Sequence, residues 1–273
     1  MVLDPLLRRQ AGVISRGQAL RAGCAAAAVD RMVRTRRWRP LHPRVYLVRG
    51  YEPGDEARAR AAALWAGGGA VLSGAAAAWW HGMLPAAPRT LAVTAPARRP
   101  ARPGVVVRCR VLAAADRTVH RHLDVTTPAL AALEAAVELG TGAGGRLLDH
   151  ALAGPVGWPA LLAAHRRHPT AAGSAVLAGA ADRALVRSLP AAGWRLLPGR
   201  PTTVVFPAAR VAVEVTGWVP AASRAHPGWH VVRVDRTGIA ERPAAVLGTI
   251  AAAVGRDVHH PEARIGPSTG VRR

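Results

Sequence analysis

The sequence predicts an α+β chain of several domains: an N-terminal winged helix-turn-helix, an α/β middle region and a C-terminal unit of αβββα order. Three patterns carry that reading. The first fifty residues run helix, helix, helix, hairpin. Two apolar strand patterns near residues 90–111 are flanked by alanine-rich helical ones. Three further strand patterns between 202 and 234 lie between two helical stretches.

In residues 1–50, Leu6 and Leu7 mark a short first helix. Ser15 caps a second, with Gln18 three residues on as in a capping box, and Gly23 closes it. A third helix, Ala25 to Arg36, sets Val29, Met32 and Val33 on one face. Trp38 to Val48 alternates around Pro40 and Pro43 and ends Val-Tyr-Leu-Val, which suits a two-stranded wing.

The middle region, residues 51–157, predicts helices at 55–66, 74–81, 128–139 and 143–152, the third opened by Thr127-Pro128. Strands are expected at 90–95 and 104–111, joined by the basic loop Pro96 to Pro103. Residues 158–255 predict helices at 158–167 and 174–188, strands near 202–206, 210–216 and 229–234, and a helix at 243–254. The tail 256–273, made of Pro, Gly and Arg among others, is expected to be disordered.

The chain has 273 residues, half of them hydrophobic, enough for two or more cored domains and too apolar for a disordered chain. Its apolar content is mostly Ala and Val. Lys and Asn are absent, a bias typical of GC-rich coding. That bias inflates Arg but does not exclude Asp or Glu codons. The net charge of +21, with 37 basic residues against 16 acids, therefore points to a polyanionic partner, double-stranded DNA foremost.

Cys24 and Cys109 give no zinc spacing or disulfide framework, although a single bridge stays open. A reducing, cytoplasmic location fits. No apolar run follows Arg8 and Arg9, so no signal peptide is expected. Ala61 to Trp80 is uncharged and long enough to span a bilayer. It is mostly Ala and Gly, however, and Gly67-Gly68-Gly69 and Ser73 break it, so no membrane partner is expected.

The charge concentrates at the N-terminus: residues 1–50 hold eleven arginines and two aspartates, a net +9. With the third helix in a major groove, Arg31, Arg34, Arg36 and Arg37 reach phosphates, and Arg39 and Arg44 extend the contact along the wing. Ala25 to Ala28 open that helix and donate no side-chain hydrogen bond. Base reading is then expected either to be weak or to fall to Arg16, Gln18 and Arg31.

The stretches LLRRQAGVISRGQALRAG and AVDRMVRTRRWRPLHPRVYLV, with the lead-in to DEARARAAALW, resemble the winged helix of the AbiEi family, antitoxins of type IV abortive-infection systems. AVLSGAAAAWWHGML is similar to that family's central part. The resemblance implies a protein that binds and represses its own promoter. Where members carry polar residues at the start of the recognition helix, this chain has alanines. His81, beside Trp79 and Trp80, reads as a packed histidine at a helix end rather than a ligand.

FPAARVAVEVTGW resembles the very-short-patch-repair-like endonuclease domain of the PD-(D/E)XK fold, which implies a restriction-endonuclease-like C-terminal domain. Phe206, Pro207, Glu214, Gly217 and Trp218 match its pattern. Thr203 and Thr216 stand where the pattern has aspartates. Asp182 stands for the helix glutamate, and His226 for the histidine that follows the strand. Glu214 and Asp182 alone are too few carboxylates to hold Mg²⁺ well, so they read as vestigial, with Glu214 paired to an arginine such as Arg183 or Arg210.

The leading expectation is a DNA-binding regulator or antitoxin-like protein with no cofactor and no metal site. The alternatives are a Mg²⁺-dependent endonuclease and an interaction module that neutralises a toxin protein.

Overall fold

The computed structural model describes residues 3–189, 194–197, 200–216 and 228–258. The chain is mixed α+β with three small sheets and separates into two compact units, Met1–Val176 and Leu177–Arg273.

The first unit opens with α1 (Asp4–Arg9), β1 (Val13–Ser15), α2 (Arg16–Arg21), α3 (Ala26–Arg34), β2 (Trp38–His42) and β3 (Val45–Val48). The strands form an antiparallel sheet of order β1-β3-β2. The capping box exists as expected: the Ser15 hydroxyl accepts from the Gln18 N–H, and the Gln18 side chain accepts from the Ser15 N–H. Strand β1 was not anticipated, because three residues are too short to show a period of two. It pairs along the edge of β3 opposite β2 and makes the hairpin part of a three-stranded sheet.

Next come α4 (Asp55–Ala66), β4 (Val71–Ser73), α5 (Gly74–Trp80), β5 (Leu91–Ala95), β6 (Val105–Cys109), β7 (Arg117–His120), β8 (Leu123–Thr126), α6 (Pro128–Ala153) and α7 (Trp158–Arg167). The five strands form a mixed sheet of order β6-β5-β4-β8-β7. Helix α6 is the two expected helices run together across Gly140, which has φ +74° and ψ −177°. Ala61 to Trp80 comprises the end of α4, then β4 and α5. No helix among the described residues is long and apolar enough to cross a membrane.

Helix α4 joins the two sheets. Ala57 and Ala61 pack with Val13, Val45 and Leu47 of the three-stranded sheet. Ala59, Ala62, Ala63 and Ala66 pack with Leu72, Leu91, Val93 and Val125 of the five-stranded sheet and with Trp80 at the end of α5. Alanine on both faces lets each sheet approach closely, and it is the residue that costs a helix least.

Arg60 is buried on the same helix. Glu56 accepts from it at 3.0 and 2.8 Å and the Arg121 carbonyl at 2.7 Å, while its guanidinium lies 5.1 Å from the Trp80 ring centre. Those partners offset the desolvation of its charge.

Helix α5 is capped from a distance. Glu134 and Glu138, one turn apart on α6, accept from the Gly74 and Ala75 N–H groups at 3.0 and 3.1 Å. Arg108 and Arg110 pair with the same carboxylates. A Cβ at Gly74, which has φ +58°, would collide with the Glu138 carboxylate.

The third unit was expected to begin at residue 158, but the division falls at Val176/Leu177. Asp116, fully buried ahead of β7, ties α7 to the first unit. It accepts from Arg167 at 2.7–3.0 Å and bonds His168 at 2.9 Å.

The chain passes through α8 (Ala171–Ser188) into the second unit: β9 (Arg195–Leu197), β10 (Arg200–Phe206), β11 (Val211–Thr216), β12 (His230–Asp235), α9 (Arg236–Glu241) and α10 (Pro243–Val258). The sheet order is β12-β11-β10-β9, antiparallel except for the parallel pair β11 and β12. Strands carrying Phe206, Glu214 and Val232 are thus neighbours, and β9 and α9 are added to the expected elements. Helix α10 continues through Arg256 to Val258, beyond the expected start of the tail. The rest of the tail lies outside the described residues.

Two predictions follow from this packing. Ala62→Leu, overfilling α4 between two sheets, is expected to cost about 1–3 kcal/mol in urea denaturation, whereas Ala26→Leu on the exposed face of α3 stays within about 0.5 kcal/mol. The second concerns Asp116. Burial pushes its carboxyl up, but the Arg167 and His168 bonds outweigh that and hold it below its ordinary 3.8. A depressed carboxyl stabilises the fold above its unfolded value and loses the effect as pH falls through the folded one. The denaturation midpoint should therefore fall more steeply below about pH 4 in the parent than in Asp116→Asn, and the variant should be the less stable at pH 7.

Candidate nucleic-acid interface

Helices α2 and α3 are clamped together by a charge pair. Arg16, first residue of α2, donates both guanidinium nitrogens to Asp30 in the middle of α3, the second bond at 3.2 Å. Bonding to Asp30 and then Tyr46 raises the Arg16 guanidinium above its ordinary value, and Arg16 in turn holds the Asp30 carboxyl below its own. The Arg16 N–H also donates to the Arg44 carbonyl at 2.7 Å, which ties the start of α2 to the wing turn. Gln18 is equally engaged. Besides its part in the capping box, it exchanges amide hydrogen bonds with Gln10 at 3.2 and 2.8 Å. Two residues expected to read bases are thus engaged with α3, the β2–β3 turn and the end of α1.

The other predicted contacts are exposed. Arg31 and Arg34 lie on α3, Arg36 and Arg37 in the turn after it, and Arg39 and Arg44 on the wing. Arg36 and Arg44 take φ of +56° and +62°, so both turns reverse the chain within a residue or two. Ala25, Ala26 and Ala27 are exposed at the start of α3, and no side chain caps that helix. The first turn of α3 thus has no side-chain cap, and the arginines gather at its other end and in the turns beyond it.

The wing leads onto the middle region. His42, last residue of β2, stacks on Trp65 of α4 with ring centres 5.4 Å apart, and the Arg102 guanidinium lies 5.8 Å from the same indole centre. Burial pushes the His42 imidazole below its ordinary value, and the Arg102 charge pushes the same way. Neither Trp65 nor Arg102 stood out in the sequence. The pairing joins segments more than thirty residues apart with no shared motif.

His81 bonds the Thr126 carbonyl at 2.8 Å, so its Nε2 carries the proton, and its ring lies 5.2 Å from His120. Burial lowers its affinity for a further proton. This is a packed, satisfied histidine.

In the second unit Thr203, Glu214 and Thr216 share one region of the sheet, while Asp182 lies on helix α8. Thr203 on β10 sits directly opposite Glu214 on β11, and Thr216 lies two residues further along, on the same face. Glu214, largely buried, is 3.4 Å from Arg233 of β12. Asp182 on α8 is bonded by Arg236 at 3.0 and 3.1 Å, and the Thr216 hydroxyl donates to the Val234 carbonyl at 3.3 Å. These donors fit a divalent cation poorly. Both carboxylates already face an arginine, and the two threonines are neutral. Among the described residues no three His, Cys, Asp or Glu side chains are grouped to hold a metal. Gly217, Trp218 and His226 lie outside the described residues. Cys24 and Cys109 are free thiols.

No family model and no curated protein matches the chain. The RV2827C protein from Mycobacterium tuberculosis, a solved structure, aligns over 92% of this chain and 93% of that one, at 19% identity and a TM-score of 0.41. A likeness that low carries no weight for fold or function.

The brace and the exposed row should separate in a stability measurement. Arg16→Gln removes the tie between α2 and α3 and is expected to lower the urea midpoint. Arg34→Gln, at an exposed position, should leave it unchanged.

Proposed function

We propose that this chain is a double-stranded DNA-binding protein of the regulator or antitoxin kind, and that its second unit keeps a nuclease-like sheet without metal-dependent cleavage. The observation that carries the reading is the exposed arginine row on α3 and the wing, Arg31, Arg34, Arg36, Arg37, Arg39 and Arg44. Asp30, the acid within that segment, is bound to Arg16, so the field over the row stays strongly positive.

The chemistry follows from the residue types. Arginines at the end of α3 and on the wing can each donate hydrogen bonds to a phosphate oxygen and fix the helix in register on the duplex. The exposed alanines can touch thymine methyls but offer no donor to a base edge. Sequence preference would then rest on Arg31, on methyl contacts and on groove shape. The AbiEi resemblance adds promoter repression as the expected role and a toxin protein as a further partner.

The nuclease-like resemblance is supported by the register of Thr203 against Glu214 and by the parallel pairing of β11 with β12. Cleavage would need carboxylates that leave a cation open to water and phosphate. Glu214 faces Arg233 and Asp182 faces Arg236, so the sheet serves as scaffold in this reading.

Two measurements test the proposal. Binding to a labelled duplex should weaken with salt, and replacing Arg34, Arg36 and Arg37 by Gln should flatten the slope of log K against log salt by roughly 2–3, at about 0.9 per phosphate contact. An unchanged slope would sink the interface. Incubation with plasmid and mismatched duplex in Mg²⁺ or Mn²⁺ should give no cleavage. Cleavage abolished by Glu214→Gln would promote the endonuclease alternative, and cleavage gained only in Thr203→Asp with Thr216→Asp would identify these positions as the loss.

A further inference from the structure

The loop at 96–103 takes no part in the winged helix, yet the fold sets it beside the wing. It joins β5 to β6, which are parallel neighbours. A parallel pair cannot be closed by a tight hairpin, so the connection has to run back the length of a strand. It does so here without a helix, in eight exposed residues, Pro-Ala-Arg-Arg-Pro-Ala-Arg-Pro. Three prolines in eight residues hold such a segment extended, so little entropy is lost when it is gripped.

Two of its arginines fasten it to α4. Arg99 donates Nε–H to the Ala66 carbonyl, the last residue of that helix, at 2.7 Å, and Arg102 lies over Trp65. The other side chain stacked on Trp65 is His42, at the end of wing strand β2. The loop is therefore linked to the wing through one indole. It holds three arginines and no acid, and all three are exposed. Arg102 on its aromatic platform keeps its planar N–H edge available, since stacking engages the face of a guanidinium and leaves its donors pointing outward.

We propose that the loop at 96–103 is a second phosphate-contacting element, and that Arg98 and Arg102 extend the duplex-binding surface of the wing onto the middle region. The proposal rests on the DNA-binding reading above and adds to it a grip outside the winged helix. Its contacts are to the backbone, because an exposed extended loop of Arg, Pro and Ala offers charge and little else. It therefore adds affinity and salt dependence without adding sequence preference.

The test measures binding of the full chain to a fluorescent duplex across a salt series. Arg98→Gln with Arg102→Gln is expected to reduce the magnitude of the log–log slope by about 1–2, at about 0.9 per phosphate contact. Arg98→Glu alone leaves the Trp65 stack untouched and should weaken binding more than Arg98→Gln. The extension is overturned if neither variant moves the slope while the Arg34, Arg36 and Arg37 replacement still flattens it. If the parent shows no salt-dependent binding to duplex, the DNA-binding reading falls, and this proposal with it.

Discussion

Helix α4 is the constraint on which the rest of the first unit depends. It is packed on two sides, against the three-stranded sheet and against the five-stranded sheet, so it cannot be amphipathic in the ordinary sense. Its solution is a run of alanines with a single charged side chain, Arg60, buried among them. Small residues let both sheets come close, and the rigid contact fixes the wing relative to Trp65 and the loop beyond it. A larger side chain at Ala62 or Ala66 would push one sheet off, and the arginines that line the proposed interface would move with it.

The acids of this arginine-rich chain are used sparingly and locally. Asp30 is spent on Arg16, Glu56 on Arg60 and Arg121, Asp116 on Arg167, and Glu134 and Glu138 on Arg108, Arg110 and the start of α5. Apart from the Glu56–Arg60 pair within α4, these ties join segments distant in the chain. The partly and fully buried ones matter most, because a charge without a partner there would cost several kcal/mol of desolvation, of order 3–5 once a pair is broken. The arginines at the end of α3, in the turns that follow it and in the loop at 96–103 lie exposed. The excess charge is therefore a property of particular faces, and not only of composition.

In the second unit the same logic works against metal chemistry. A strand such as Val211–Thr216, buried nearly throughout, can keep its pairing whatever the polar residue at position 214, because the hydrogen-bond ladder and the valines hold it. The fold and the chemistry are therefore separable. Thr203 and Thr216 bring no charge to this face of the sheet, and Arg233 and Arg236 supply the charge that Glu214 and Asp182 require.

The sequence by itself determined what local rules govern. The capping box of Ser15 and Gln18, the turn at Gly23, the Thr127-Pro128 start and the strand of alternating valines around Glu214 are each set by neighbours within four residues, and each stands in the structure. The exposed arginines of α3 and the wing were legible for the same reason, since an amphipathic period assigns them to the outer face. Only the tertiary structure decided what depends on distant partners. It showed that Arg16 and Gln18 are braces rather than free side chains, and that β1 and β4 exist at three residues each because neighbouring strands pair with them. It also showed that α7 belongs to the first unit through Asp116, and that Trp65 brings His42 and Arg102 together. Such contacts follow from packing across tens of residues, where no period or spacing leaves a signal to read.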